Sequence, residues 1–256
     1  MSRVIAICNQ KGGVAKTVTA VNLAVGLARF QNSASVCLID MDPQANATSH
    51  FGFTPKDIEK SIYDLLIMRS TKLDELAVRG ALKESFGVKV LPSSISLAKA
   101  EKAIDMAKER RLAAIIPYLE QSIIIIDCPP SLSFHFINAL TAATDLIIPI
   151  EPEPFALEGV AQLVETIKDI QAELNPDLRV LGVLPTKVQG NTKLHDGVMH
   201  DIIKLFGGDV FASYIRRNVE IAESTATKRP IYDHAPKSIG AEDYANFVAE
   251  VLRRLN

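Results

Sequence analysis

The stretch "NQKGGVAKTVTA" (residues 9–20) follows an apolar run, "VIAIC" (4–8), and leads into a helical pattern, "TVTAVNLAVGLARF" (17–30). A glycine-rich turn between a strand and a helix presents backbone N–H groups and the positive end of the helix dipole to an anion, most naturally phosphate. Lys16 is placed to reach the β- and γ-phosphates, and the Thr17 hydroxyl to hold Mg²⁺. The alternative reading of the same residues is a tight β–α turn with two exposed lysines.

Working outward, Val- and Ile-rich runs recur at 34–40, 88–92, 122–127, 145–151 and 178–185. They are continuous rather than alternating, as in parallel strands buried on both faces. Helical patterns lie between them at 93–111, 134–143 and 156–174, and a last one covers 238–255, while 68–85 gives no independent reading. This alternation predicts an α/β fold: a doubly wound, mostly parallel sheet with helices on both faces. Ligands then bind at the carboxyl ends of the strands, so chemistry is sought just after each apolar run.

After the second run comes "IDMDPQANAT" (39–48), with Asp40 and Asp42 two residues apart at a strand end. A carboxylate there can hold a Mg²⁺-bound water or orient an attacking one, although an Asp-x-Asp-Pro sequence is also a common turn. After the fourth run, Asp127 closes four isoleucines and precedes "CPPS". An acid in that position is costly to bury without a cation or strong donors. Water-mediated Mg²⁺ coordination answers the requirement, as does capping of the helix that begins near Ser131.

Composition bounds the rest. The chain has 256 residues, 48% hydrophobic and 23% charged, and shows no Pro/Gly/Ser-rich tract or internal repeat, so one domain over 1–256 is expected. Its apolar runs fall short of the roughly 20 residues that cross a bilayer, and the start lacks the layout of a signal peptide, which predicts a soluble, cytoplasmic protein. Cys8, Cys37 and Cys128 lack C-x-x-C spacing and read as buried free thiols. A net charge of −2 neither supports nor excludes nucleic acid.

Together "KGGVAKT", "IDMDPQANAT", "IIIIDCPPS", "IPIEPEPFALEG" and "IRRNVEIAES", in this order and spacing, resemble the deviant Walker A ATPases of the ParA/Soj branch, DNA-segregation ATPases related to MinD. The resemblance runs from about residue 3 to residue 252. It implies a P-loop NTPase fold, ATP and Mg²⁺ as cofactors, and weak ATP hydrolysis that depends on dimerisation. Lys11 matches the signature lysine that reaches the partner's phosphates in an ATP-sandwich homodimer, and Gly12 would lie at the dimer seam. Lys16 matches the phosphate lysine, Thr17 the magnesium threonine, Asp42 the residue that positions the hydrolytic water, and Asp40 and Asp127 the acids around the metal. The nucleotide loop thus comprises Lys11, Gly12, Gly13, Val14, Ala15, Lys16, Thr17 and Val18, with Arg217 of the "RNV" motif as a further nucleotide contact.

The sequence departs from that pattern at four positions. Ala15 stands where glycine is usual; if the backbone there needs φ > 0, the methyl costs about 1 kcal/mol, which would weaken nucleotide binding roughly fivefold. Val18 replaces a common threonine, Arg216 a proline, and Glu220 a second arginine.

The resemblance also implies nonspecific DNA binding by the ATP-bound dimer, with Arg217 the first candidate and Arg216 and Lys187 next. It further implies a ParB-like partner that stimulates hydrolysis, and a bacterial, nucleoid-associated location. Between Lys187 and Lys237 stand eight Lys/Arg against six Asp/Glu, a small excess that also suits a solvated mixed-charge surface. The resemblance covers both plasmid and chromosome partition. A MinD-like membrane role would need a basic amphipathic helix after the core, whereas the last helix looks committed to packing through Tyr244, Phe247, Val248, Val251 and Leu252. No stable membrane association is therefore expected. An amide-forming synthetase or iron-protein reductase on the same scaffold is the remaining alternative, the latter lacking cysteines arranged for a cluster. Strand one begins by Arg3 or Val4, which leaves no room for an N-terminal helix-turn-helix domain and suits the short, chromosomal type.

Overall fold

The computed structural model describes residues 2–31, 34–104, 106–153, 156–189 and 193–255, with the side chains of 156–158 and 193–196 left aside. Seven strands, β1 (Arg3–Ile7), β2 (Val36–Asp40), β3 (Lys83–Ser85), β4 (Val88–Leu91), β5 (Ile123–Asp127), β6 (Asp145–Ile150) and β7 (Arg179–Pro185), form one sheet in the order β3-β4-β2-β5-β1-β6-β7. All neighbours are parallel except the β3–β4 pair at the edge. The helices are α1 (Lys16–Phe30), α2 (Asn46–His50), α3 (Ile62–Ile67), α4 (Glu75–Ala81), α5 (Ala100–Ala103), α6 (Arg111–Ile115), α7 (Phe134–Ala142), α8 (Ala156–Glu173), α9 (Lys193–Phe206), α10 (Val219–Ala226), α11 (Ile231–His234) and α12 (Ile239–Leu255).

The run of isoleucines in β5 shows why the apolar stretches are continuous. Ile124 and Ile126 enter one core together with Leu140 and Leu163, while Ile123 and Ile125 enter the other with Leu23 and Phe247. Successive side chains point to opposite faces, so a sheet covered on both sides needs apolar residues at every position. Burial of α12 through Tyr244, Phe247, Val248 and Val251 follows the expectation for that helix, and Leu252 packs at its margin. The three cysteines are buried free thiols, and desolvation pushes Cys37 up to about 12.

One sequence expectation is corrected, and one unread stretch is filled in. Residues 93–111 do not form one helix: a 3₁₀ turn at Ile95–Lys99 leads into α5, and a second at Lys108–Arg110 precedes α6. Ala107 adopts a left-handed conformation (φ 50°), which ends any continuous helical path. The unread stretch 68–85 holds α4 and the polar edge strand β3, joined to β4 through Phe86 (φ 52°) and Gly87 (φ 77°). Two consecutive positive φ angles make the tight hairpin turn that suits the right-handed twist of the paired strands.

Candidate nucleotide site

The ends of β1, β2 and β5 lie side by side, and the register pairs Ile7 with Asp127 and Asp127 with Asp40. The phosphate-loop candidate and both acidic strand ends therefore meet at one point. A cavity of about 390 Å³ opens there, lined by Gly12, Gly13, Ala15, Lys16, Thr17, Val18, Asp42, Asn46, Ser49, His50, Pro130 and Thr225. A second cavity of about 300 Å³ shares Ala15, Val18 and Thr225 with it and continues past Arg216, Arg217, Asn218 and Ile221.

The loop is shaped by its own contacts. Gly13 has φ 79°, a conformation open to glycine, and Ala15 has φ 66° and ψ 25°, so the third expected glycine position does need a left-handed backbone. Val14 is buried and its carbonyl accepts from the Thr186 hydroxyl at 3.2 Å, while the Ala15 carbonyl accepts from Thr19 N at 2.9 Å and opens α1. At Gly12 a Cβ would meet no described atom within 4 Å, so nothing described within the chain itself demands glycine there.

Lys16 is buried, and its ammonium donates to the Lys11 carbonyl at 3.0 Å, across the mouth of the loop. Desolvation lowers its pKa, opposed first by the Asp127 charge. Lys11 points elsewhere, to the Glu153 carboxylate at 2.8 Å, and both side chains are exposed.

The two strand-end acids differ. Asp127 is fully buried, and neither carboxylate oxygen has a hydrogen-bond partner among the described residues. Desolvation and then the neighbouring Asp40 push its pKa far up; nearby Thr17 and Lys16 offset only part of this. An orphaned buried carboxylate beside a threonine hydroxyl suits a hydrated Mg²⁺, which keeps several waters and uses one or two carboxylates with substrate phosphates. Among the described residues no cluster of three His, Cys, Asp or Glu side chains could hold a metal alone. Asp40, expected near the metal, is engaged inside the chain: Oδ2 accepts from Thr48 N (2.8 Å) and Thr48 Oγ1 (2.7 Å), and Oδ1 from Asp42 N (3.1 Å). Burial still raises its pKa to about 6, against those hydrogen bonds.

The three cations expected to meet DNA lie close together, because Val188 and Arg216 form an isolated parallel bridge. Each is already paired. Arg216 Nε donates to both Asp243 oxygens at 3.0 Å, while Arg217 and Lys187 share the buried Glu151 carboxylate, each at 3.0 Å. Pro154 and Phe155 of the "IPIEPEPFALEG" motif lie outside the described residues.

A family model described as an AAA domain matches residues 2–180. The sporulation initiation inhibitor protein Soj of Bacillus subtilis is 40% identical over 255 residues, covering 98% of this chain and 98% of that protein. The chain belongs to the Soj/ParA family. The chromosome-partitioning ATPase Soj of Thermus thermophilus is 39% identical and covers 99% of this chain and 96% of its own length. Among solved structures, a Mycobacterium smegmatis protein named cobyrinic acid a,c-diamide synthase, with bound ADP and magnesium, aligns at TM-score 0.84 with 34% identity over 100% of this chain and 96% of that one. MinD of Pyrococcus horikoshii, complexed with Mg-ADP, shares the fold at TM-score 0.78 and 23% identity. The expectation of a P-loop NTPase fold of the MinD/ParA kind is met.

Sequence reasoning missed several residues that shape this Soj/ParA site. Glu151 and Glu153 of the "IPIEPEPFALEG" motif stand just after β6, where ligand-facing residues are sought. Ser93 likewise follows β4, whereas Thr48 lies in α2, eight residues after β2, where that rule does not reach. His50 lines the cavity with its Nδ1 buried and without a partner among the described residues; a lone histidine at a helix end carries no sequence signal.

Proposed function

We propose that this chain is an ATP-dependent dimerising ATPase of chromosome or plasmid partition, which binds nonspecific DNA as the ATP dimer and leaves it after hydrolysis prompted by a ParB-like protein. The observation that carries the reading is the bare Asp127 carboxylate facing Thr17 and Lys16 at the end of a left-handed phosphate loop. ATP phosphates would sit in the first cavity, on the loop N–H groups and the α1 terminus, with the nucleoside in the second beside Arg217 and Asn218. Thr17 and Asp127 would hold Mg²⁺, which supplies charge neutralisation on the phosphates during transfer. Asp42, held at the cavity wall, would orient the attacking water, so that rate comes from positioning and charge stabilisation and stays low. Lys11, exposed and held by Glu153, is free to exchange that carboxylate for a partner's phosphate, and the open surface at Gly12 leaves room for a second subunit.

DNA binding is supported by proximity of Lys187 to Arg217 rather than by net charge, since Glu151 now neutralises part of it. A cytoplasmic, nucleoid-associated place follows from that activity. The synthetase reading draws support from the 34% identical solved structure, but the relatives at 39–40% over 98–99% of the chain favour partition. A membrane role has less support, because α12 buries its apolar face in the core. The deciding variant is Asp42→Ala, expected to bind ATP, dimerise and remain on DNA. Wild-type ATP turnover by that variant would overturn the assignment.

A further inference from the structure

A closed ring of hydrogen bonds surrounds the backbone of Asp42. Asp42 N donates to Asp40 Oδ1 (3.1 Å), and Asp40 Oδ2 accepts from Thr48 Oγ1 (2.7 Å). Thr48 Oγ1 in turn accepts from Ser93 N (2.9 Å), and Ser93 Oγ donates to the Asp42 carbonyl (2.7 Å). The four residues come from the end of β2, from α2 and from the segment after β4, and all are buried. Ala45 N adds a second bond to the Asp42 carbonyl (2.9 Å), and Gln44 N holds Asp42 Oδ1 (2.9 Å). Both backbone polar groups of Asp42 and one carboxylate oxygen are thereby fixed, and its other oxygen remains for a ligand in the cavity that Asp42 lines.

A fully satisfied buried network is rigid, because each member polarises its neighbour and any opening strands a donor or acceptor in low dielectric. The ring spans three elements that only the folded sheet brings together, whereas an Asp-x-Asp-Pro turn needs no partner beyond its own residues. Both Asp40 oxygens take part in the network, Oδ1 accepting one bond and Oδ2 two.

We propose that Ser93 and Thr48 are positioning residues for hydrolysis, holding the Asp42 carboxylate at the angle needed to orient water. The proposal rests on the reading of Asp42 as the water-orienting group. Misplacing such a group by a fraction of an ångström to about 1 Å lowers the rate by 10- to 100-fold without affecting ground-state binding.

The test measures steady-state ATPase and nucleotide affinity in the full-length protein with Ser93→Ala, Thr48→Val, Ser93→Thr and Asp42→Ala. Ser93→Ala and Thr48→Val should each lower kcat at least roughly tenfold, with KM and nucleotide Kd within about twofold, while Ser93→Thr, which keeps the hydroxyl, restores turnover. Val251→Ala, a core truncation in α12, serves as the stability control and should keep kcat despite a lower melting temperature. Wild-type kcat in Ser93→Ala or Thr48→Val, or a loss in Ser93→Thr equal to that in Ser93→Ala, overturns the proposal. If Asp42→Ala itself turns over normally, the reading of Asp42 fails instead; if Asp42→Ala is inactive and Ser93→Ala is not, only the ring's role fails.

Discussion

Replacing Ala15 with glycine separates strain in the fold from strain in binding. The left-handed region costs an L-residue roughly 1–2 kcal/mol, and glycine gives back about 0.5–1 kcal/mol through its freer unfolded chain. The net expectation for Ala15→Gly is about 0.5–1 kcal/mol of added folding stability, or roughly 2 °C in melting temperature for a domain of this size. The left-handed turn is imposed by the chain's own contacts, the buried Val14 held by Thr186 and the α1 bond from Thr19 to Ala15. The cost is therefore expected to fall on folding rather than on binding, and nucleotide affinity should change by less than about twofold, against the roughly fivefold that strain arising on binding would give. Thermal unfolding paired with titration of a fluorescent ATP analogue checks both parts. An unchanged melting temperature together with about fivefold tighter binding would refute the reasoning, because the strain would then arise only when nucleotide arrives.

Other outcomes follow from the same site. Glu151→Gln should release Lys187 and Arg217 and so strengthen DNA retention, steepening its salt dependence by up to about 1.8 in the log–log slope if both meet phosphates; unchanged retention would place the DNA face elsewhere. Asp127→Asn removes a desolvated charge beside Asp40, so its melting temperature in EDTA should rise, while stabilisation by Mg²⁺ with nucleotide is lost; a fall in EDTA would mean the carboxylate has a partner after all. Burial lowers the pKa of His50 below its ordinary 6.5, with the Arg229 carbonyl opposing, so the unfolded chain takes up the proton first as pH falls. Its contribution to stability is present above about pH 6.5 and is lost from there down to the folded pKa. His50→Gln should flatten the melting temperature between pH 7.5 and 5.5, and an unaltered slope would assign the effect to other groups.

The doubly wound sheet was legible because each parallel strand is apolar at every position, which leaves few other readings of "IIIID". The edge strand β3 was not, since "KES" is short and polar and becomes a strand only through its hairpin with β4. The phosphate loop could be read because its chemistry is local: glycines, Lys16 and Thr17 are consecutive. The pairing of Arg217 with Glu151 and of Lys187 with the same acid spans 66 and 36 residues, and depends on β6 and β7 lying side by side. Asp40 shows the same limit. Its spacing from Asp42 placed both acids at one strand end, and only the folded chain shows Thr48 N and Oγ1 donating to Asp40 Oδ2, with Ser93 N donating to Thr48 Oγ1, which distinguishes the two carboxylates.

The central claim is that ATP joins two copies of this chain into the form that holds DNA. Light scattering of the wild-type protein with Mg²⁺ and no nucleotide, ADP or ATP, followed by the same samples on nonspecific duplex DNA, tests it directly. The account predicts that the mass doubles with ATP alone and that DNA is retained only in that sample. A mass that ignores ATP, or DNA retained equally without nucleotide, would contradict it.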